Sequence, residues 1–143
     1  MAKINLAITG CLGRMGRQLI KTAVKDRSVK IVSLTENTFL NKKISGIYLE
    51  KNSEKAFRNA HVIIDFTSPK CTFEVLKIAS KLKKKVVIGT TGFSKTEENH
   101  IKKFSKKISI LKAGNMSLGI NLLMFLTEIT SKTLGVNYLS KVF

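Results

Sequence analysis

The 143-residue sequence is poor in acidic side chains and in cysteine, has a single proline, and lacks any long apolar run. Its longest apolar stretch, residues 120–126, contains Asn121 and is far too short to span a bilayer. The two cysteines, Cys11 and Cys71, lack the spacing of metal ligands, so we predict no metal site and a reduced, cytoplasmic protein. The apolar segment 4–8 is too short for the core of a secretory signal, so we predict none.

The scarcity of acids leaves a strong positive charge. Lysine and arginine together number 26 against 9 aspartates and glutamates, a formal net charge of +17. Nucleic-acid-binding proteins carry such charge, but they usually combine it with arginine and stacking aromatic side chains. Only four basic residues here are arginines, and the lysines are spread along the chain without interleaved aromatics. We therefore expect no nucleic-acid or membrane partner, and we expect the lysines to be solvated and to steer a polyanionic cofactor.

A glycine-rich segment near the N-terminus is the most informative feature. The largely apolar residues 4–9 are followed directly by a turn with Gly10, Gly13 and Gly16 and then by helix-forming residues. A strand, a G-x-x-G-x-x-G turn and a helix open a dinucleotide-binding unit, where the glycines allow a tight turn, close approach of a pyrophosphate and close helix packing. Glu36 follows 20 residues after Gly16, where an acid that binds ribose is expected.

The remaining chain alternates between strand-like and helix-like segments. Strands are predicted at residues 4–9, 29–35, 62–66, 86–88 and 108–111. Helices are predicted at residues 14–25, 53–59, 70–83, 94–106 and 117–134, with residues 37–52 irregular. Ser53 is a predicted helix cap, Ser94 and Glu97 form a predicted capping box, and Gly135 is a predicted helix stop. This alternation predicts an α/β fold, a doubly wound parallel sheet of the Rossmann type with helices on both faces.

The carboxyl ends of the predicted strands share one chemistry. In a doubly wound sheet the ligand binds outside these ends. All five are small, polar or glycine-rich, at residues 10–16, 36, 65–69, 89–92 and 113–117. Ordinary turn chemistry explains any one of them. Five such strand ends in register favour a shared ligand crevice.

Four motifs carry a family resemblance. They are Gly13-Arg14-Met15-Gly16-Arg17, Asp65-Phe66-Thr67-x-Pro69, Gly89-Thr90-Thr91-Gly92-Phe93 and Asn115-Met116-Ser117-Leu118-Gly119-Ile120-Asn121. In order and spacing they resemble the 4-hydroxy-tetrahydrodipicolinate reductase (dihydrodipicolinate reductase) family of bacterial lysine and diaminopimelate synthesis, over essentially the whole chain. The resemblance implies an oxidoreductase that transfers hydride from NADH or NADPH to a cyclic, unsaturated dicarboxylate, and that forms a homo-oligomer.

The resemblance also implies which residues bind the cofactor. The glycine turn would bind the pyrophosphate, and Glu36 the adenosine ribose. Phe66 and Thr67 would flank the cofactor, the Gly89 motif would hold the nicotinamide end, and residues 113–116 would close over it. The implied set is Gly10, Cys11, Leu12, Gly13, Arg14, Met15, Gly16, Glu36, Phe66, Thr67, Gly89, Thr90, Thr91, Ala113, Gly114, Asn115 and Met116.

Three departures from the family pattern modify these expectations. Gly114 stands where the family commonly has proline, which loosens a hinge. Asn37 stands where NADPH-preferring members have arginine, so we expect NADH to bind at least as well as NADPH, although Lys42 and Lys43 could fold back and weaken the preference. The family's His-His-x-x-Lys motif is not found in these residues, and His61 and His100 do not replace it.

Domain organisation follows from that third departure. We predict a dinucleotide-binding domain over residues 1–135, and over residues 136–143 the start of a truncated substrate and oligomerisation domain, with a new strand at 138–143. No catalytic residue is expected in this chain, so alone it would be inactive. Two alternatives stay open: the corresponding half of another NAD(P)-dependent dehydrogenase, and a basic, non-catalytic module that binds dinucleotides or nucleic acid.

Overall fold

A computed structural model describes residues 2–38 and 41–135 of the chain. The chain divides into two compact units, residues 1–112 and residues 113–143. The strand predicted at 138–143 lies outside the described residues. The predicted domain boundary between residues 135 and 136 borders the same segment and stays a prediction.

The first unit is built on one seven-stranded sheet. Its elements are β1 (Ile4–Thr9), α1 (Arg14–Ala23), β2 (Val29–Thr35), β3 (Lys43–Ile44), β4 (Ile47–Glu50), α2 (Glu54–Phe57), β5 (Val62–Asp65), α3 (Pro69–Lys81), β6 (Lys85–Ile88), α4 (Lys95–Ser105) and β7 (Ile110–Lys112). The strand order is β3-β4-β2-β1-β5-β6-β7, and every pair except β3 with β4 is parallel. The chain winds outward in both directions from β1, which confirms the doubly wound α/β fold and puts the reversal of strand order beside β1.

Two apolar cores cover the two faces of the sheet. Neighbouring residues of β1 separate them, since Ala7 belongs to one core and Ile8 to the other, and both are fully buried. The Ile8 core includes Ile20 of α1. The Ala7 core includes Phe57 of α2 and Ile101 of α4, together with most buried residues of α3. Helices therefore lie on both faces, as the alternating sequence predicted.

The segment predicted as irregular is partly ordered, which corrects the sequence-based expectation. Residues 43–50 form the β3–β4 hairpin, with Ser45 and Gly46 at its tip at φ of 49° and 83°. Two successive residues with positive φ are the requirement of a type I′ turn, whose twist matches that of the flanking strands. Other differences are shifts of element ends: the helix predicted at 53–59 is shorter, and the strand predicted at 108–111 begins at Ile110.

Helix α3 ends in a Schellman arrangement without the usual glycine. The Lys84 N–H donates to the Ala79 carbonyl at 2.9 Å, and the Lys83 N–H donates to the Ser80 carbonyl at 3.4 Å. The motif requires a left-handed residue after the C-cap, and Lys83 takes that conformation with φ of 55°. A side chain there is strained, so this helix end costs stability.

Among its described residues, 113–135, the second unit contains one helix, α5 (Leu118–Leu134). Ser117 caps it by accepting from the Ile120 N–H at 3.4 Å, and the Asn115 side-chain oxygen accepts from the Ser117 N–H at 2.9 Å. Gly135 follows the last turn with φ of 72°, where a stop was predicted. None of the helices within residues 2–38 and 41–135 combines the length and apolarity that crossing a membrane requires.

Candidate functional site

A cavity of about 300 Å³ opens at the carboxyl ends of β1, β2, β4 and β5. It therefore lies beside the point where strand order reverses, the usual ligand position in such sheets. Its described lining is Gly10, Gly13, Thr35, Glu36, Asn37, Asn52, Phe66, Thr67, Ser68 and Cys71. The lining combines backbone of a glycine turn, one carboxylate and several neutral polar groups.

The three glycines of the glycine turn lack a side chain for different structural reasons. Gly10 has φ of 66°, and a Cβ there would lie 2.5 Å from the Phe66 carbonyl oxygen. A Cβ on Gly16 would lie 2.2 Å from the Gly10 oxygen, so α1 packs directly on the turn. A Cβ on Gly13 would meet only the Gly10 oxygen, at 3.2 Å, and Gly13 lines the cavity. Gly10 and Gly16 are thus required by the fold, whereas at Gly13 the missing side chain mainly leaves room in the cavity.

The N-terminus of α1 is capped differently from those of the other described helices. Ser53, Ser68, Ser94 and Ser117 cap α2, α3, α4 and α5 through their hydroxyls, and Ser94 with Glu97 forms the predicted capping box. Gly13 caps α1 and supplies no side-chain acceptor. The first-turn amides of a helix have no partner inside the helix, so those of α1 are available to an anion in the cavity.

Glu36 connects the end of β2 with the glycine turn. Its carboxylate accepts from the Leu12 N–H at 3.2 Å and from the Asn37 N–H at 3.0 Å. The Arg17 Nε donates to the Leu12 carbonyl at 2.8 Å and holds the turn from the other side. A carboxylate has about four acceptor positions, so Glu36 keeps capacity for hydroxyl donors of a ligand.

Cys11 follows Gly10 in the glycine turn and is fully buried. Burial raises the pKa of the Cys11 thiol to about 11, and the Glu36 carboxylate adds to the rise. Burial also raises the pKa of the Cys71 thiol, whose sulfur lies 3.2 Å from the Asn52 side-chain nitrogen. Both thiols are therefore protonated near neutral pH, and neither has the thiolate character of a nucleophile.

Phe66 forms the wall of the cavity after β5. Its ring occupies the space beside Gly89, where a Cβ would lie 2.1 Å from the ring. The Gly89 N–H donates to the Asp65 carbonyl at 2.8 Å and ties the end of β6 to the end of β5. The glycine of the third motif thus makes room for the aromatic ring of the second.

The cavity brings together five of the residues implied by the resemblance: Gly10, Gly13, Glu36, Phe66 and Thr67. The others are not among its described lining. Cys11 is a buried residue of the glycine turn, and Gly16 is a buried residue of the first turn of α1. Gly89 lies behind Phe66, and Thr90 is only 3% exposed. Leu12, Arg14, Met15 and Thr91 adjoin these positions in the chain, and Ala113, Gly114, Asn115 and Met116 belong to the second unit.

Five lining residues were not among the predicted cofactor-binding set: Thr35, Asn37, Asn52, Ser68 and Cys71. Thr35 and Asn37 flank Glu36, so the end of β2 contributes as a unit. The Thr35 hydroxyl is buried and has no hydrogen-bond partner among the described residues. Asn52 was missed because the strand before it, β4, was not predicted.

Neither histidine belongs to the cavity lining. The Nδ1 of His61 accepts from the Asn5 N–H at 3.0 Å, and the ring of His100 stacks on Phe73 with centroids 5.0 Å apart. Both have structural neighbours that account for them. In the described part of the chain, no group of three or more His, Cys, Asp or Glu side chains is arranged to hold a metal ion.

Comparison with known proteins shows the family of this chain. The family model described as dihydrodipicolinate reductase, N-terminus, matches residues 4–116. The 4-hydroxy-tetrahydrodipicolinate reductase of Pelagibacter ubique is 66% identical over 143 residues, which cover all of this chain and 55% of that protein. The enzyme of the same name from Buchnera aphidicola of Acyrthosiphon pisum is 39% identical, over 93% of this chain and 54% of that protein.

Solved structures show the same fold. Dipicolinate-bound dihydrodipicolinate reductase from Paenisporosarcina sp. TG-14 superimposes with a TM-score of 0.76 at 21% identity, covering 91% of this chain and 54% of that one. Homoserine dehydrogenase of S. aureus gives a TM-score of 0.65 at 17% identity, covering 78% of this chain and 32% of that one. The chain thus spans about half the length of the curated relatives it matches.

Proposed function

Because the chain belongs to the dihydrodipicolinate reductase family, whose amino-terminal model it matches over residues 4–116, we propose that it binds a reduced nicotinamide dinucleotide in the cavity beside β1. The single observation that carries the proposal is the α1 N-terminus, where Gly13 leaves both the cavity and the first-turn amides free of side chain. A pyrophosphate is the part of the cofactor that such amides bind.

The other lining groups fit the rest of the adenosine half. Glu36 accepts two backbone N–H groups and has further acceptor positions for a ribose diol. Thr35, the residue before Glu36, also lines the cavity. We assign the nicotinamide end to Phe66 and Thr67 and, by resemblance, to Gly89, Thr91 and residues 113–116. Thr90, which the resemblance also implies, is only 3% exposed and is not part of the described cavity lining.

The reaction we propose is hydride transfer to a cyclic, unsaturated dicarboxylate in lysine and diaminopimelate synthesis. The reduced nicotinamide supplies the hydride when bound, and the protein supplies binding and orientation. None of the ten described residues that line the cavity is a lysine, an arginine or a histidine. We therefore propose that residues 1–135 serve cofactor binding, that residues 136–143 begin a substrate and oligomerisation domain, and that groups for the two substrate carboxylates come from outside these residues.

Cofactor preference follows from the end of β2. Glu36 repels a 2′-phosphate, and Asn37 beside it in the cavity offers no positive charge to offset the repulsion. The Lys43 ammonium lies over the Tyr48 ring, 5.1 Å from its centroid, and neither Lys42 nor Lys43 is part of the described cavity lining. We propose that NADH binds at least as tightly as NADPH.

The experiment is a fluorescence titration of the purified chain with NADH and with NADPH, beside a DNA-retention assay at physiological ionic strength. We expect saturable NADH binding and no DNA retention. Absence of NADH binding would refute the proposed function. DNA retention without dinucleotide binding would favour the basic module, and NADPH binding tenfold tighter, about 1.4 kcal/mol, would overturn the preference.

A further inference from the structure

Asp65, the last residue of β5, is fully buried and is surrounded by hydroxyl groups. Its Oδ1 accepts from the Thr9 hydroxyl at 2.6 Å and from the Thr67 hydroxyl at 2.7 Å. Its Oδ2 accepts from the Thr72 hydroxyl and, at 3.1 Å, from the Thr90 hydroxyl. One carboxylate therefore joins the end of β1, the loop after β5, the first turn of α3 and the residue pair after β6.

No cation takes part in this network among the described residues. The ion pairs found there involve Glu54, Glu98 and Glu128 and not Asp65. A carboxylate only accepts hydrogen bonds, so each hydroxyl that bonds to Asp65 does so by donating its hydrogen. A buried carboxylate imposes this orientation because leaving it without partners would be costly.

The orientation has a consequence for Thr90. Because its hydroxyl hydrogen points to Asp65, its oxygen is left to accept, and it accepts from the Thr67 N–H at 2.9 Å. Thr67 is thus held twice, through its backbone N–H by Thr90 and through its hydroxyl by Asp65. Thr67 and the adjacent Phe66 line the cavity, whereas Thr90 is 3% exposed and does not.

From this geometry we infer that Asp65 and Thr90 are positioning residues, which fix Phe66 and Thr67 as the wall against which the dinucleotide binds. The inference rests on the proposed function. It gives Thr90 a role through Thr67 in place of direct contact with the cofactor. It also gives a reason for aspartate and threonine at two motif positions that are buried behind the cavity.

The decisive variant is Thr90→Val, which keeps the shape of the side chain and removes its hydroxyl. Thr90→Ser is the conservative variant, because serine keeps the hydroxyl. The matched control is Thr72→Val, which deletes another fully buried hydroxyl from the same carboxylate but on the α3 side. The Ser68 carbonyl keeps its bond from the Thr72 N–H, at 2.9 Å, in that control. Asp65→Asn provides a fourth variant, because its amide group turns one acceptor into a donor.

We expect the dissociation constant for NADH to rise at least tenfold in Thr90→Val and Asp65→Asn, and to stay within twofold of the wild type in Thr90→Ser and Thr72→Val. Thermal midpoints should fall similarly in the two valine variants. A loss of affinity in Thr72→Val equal to that in Thr90→Val would overturn the inference, because the network would then act through stability alone.

A second readout needs no ligand. Native-state amide hydrogen exchange at Thr67 reports the bond to Thr90 directly. We expect exchange at Thr67 to accelerate at least tenfold in Thr90→Val and to be unchanged in Thr72→Val. Unchanged exchange in Thr90→Val refutes the positioning role whether or not NADH binds. Wild-type chain that fails to bind NADH refutes the proposed function, while the exchange data still decide whether Thr90 fixes Thr67.

Discussion

Replacing Gly13 by aspartate separates ligand binding from folding better than any other change in the glycine turn. Gly10 and Gly16 cannot accept a Cβ without displacing backbone. A Cβ on Gly10 would lie 2.5 Å from the Phe66 oxygen, and one on Gly16 would lie 2.2 Å from the Gly10 oxygen. Gly13 has the extended conformation of an N-cap, with φ −67° and ψ 168°. A Cβ added to Gly13 would have the Gly10 oxygen as its nearest neighbour, at 3.2 Å. Aspartate is among the most favourable N-cap residues and complements the helix dipole. We expect Gly13→Asp to fold with stability unchanged or raised by a few tenths of a kcal/mol.

The same carboxylate should abolish dinucleotide binding. It would occupy the space in front of the first-turn amides of α1 and accept their hydrogen bonds itself. It would also stand against the pyrophosphate: two unit charges about 5 Å apart repel by about 3 kcal/mol at an effective dielectric constant of about 20. That energy corresponds to a loss of affinity of at least one hundredfold.

The assay is an NADH fluorescence titration combined with urea unfolding. Gly13→Ala measures the effect of a Cβ alone, and Gln18→Glu adds a negative charge at an exposed position of the same helix. We expect the first control to lose less affinity than Gly13→Asp and the second to change it less than threefold. A Gly13→Asp chain that folds normally and binds NADH with wild-type affinity would show that the pyrophosphate does not lie at this helix.

Four further outcomes are expected. Glu36→Gln should lower the ratio of the NADPH to the NADH dissociation constant at least threefold, because it removes the charge that repels a 2′-phosphate; an unchanged ratio in titrations would contradict this. The pKa of the Cys11 thiol is raised to about 11, so this thiol should be protonated at pH 8. Peptide mass spectrometry should show that it reacts with iodoacetamide at least tenfold more slowly in the folded chain than in urea. Its reaction rate should rise as the pH approaches 11. Lys83→Gly should stabilise the chain by about 0.5–1 kcal/mol in urea unfolding by relieving the left-handed φ of 55°, whereas Lys84→Gly should not. The purified chain should oxidise no NADH with enzymatically generated substrate; turnover near that of a full-length relative would show that the described cavity suffices.

The elements with strong periodicity were predictable to within about two residues. β1 and β2 lie at the predicted positions, and α5 begins one residue after its prediction. In the two strands the apolar residues Leu6, Ala7, Ile8 and Leu34 are buried, so local pattern and burial agree there. The capping residues Ser53 and Ser94 were also predictable, because capping depends on residues three apart in the sequence.

The β3–β4 hairpin was not predicted because its strands are short and because the contact that holds it joins residues distant in the sequence. β3 has two residues, too few to show alternation, and the turn uses Ser45 where asparagine or aspartate is the stronger signal. What holds β4 in place is pairing with β2, seen in the register of Leu34 with Leu49. Missing β4 also hid Asn52, which reaches the cavity only because β4 extends the sheet beyond β2.

The candidate site was predicted as a set of motifs. Which residue of a motif lines the cavity and which one supports the lining depends on three-dimensional contacts. Nothing in the order Gly89-Thr90 shows that the glycine makes room for Phe66 or that the threonine bonds to Thr67. Adjacent residues of a strand end point in different directions, so a motif mixes groups that contact a ligand with groups that support them. Asp65 illustrates the limit: its four partners are spread over residues 9 to 90.

Two helix ends in the described part of the chain, the start of α1 and the end of α3, depart from local preference, and they lie at opposite edges of the sheet. α1 starts without a side-chain cap, at the carboxyl edge where the cavity lies. α3 ends with Lys83 in a left-handed conformation, just before β6 and therefore at the amino edge. A local rule broken at a ligand site is compensated when the ligand binds, because the anion supplies the missing acceptor. Lys83 lies at the opposite edge and gains no such partner from the cavity. Repairing the first departure should therefore remove binding, and repairing the second should only add stability.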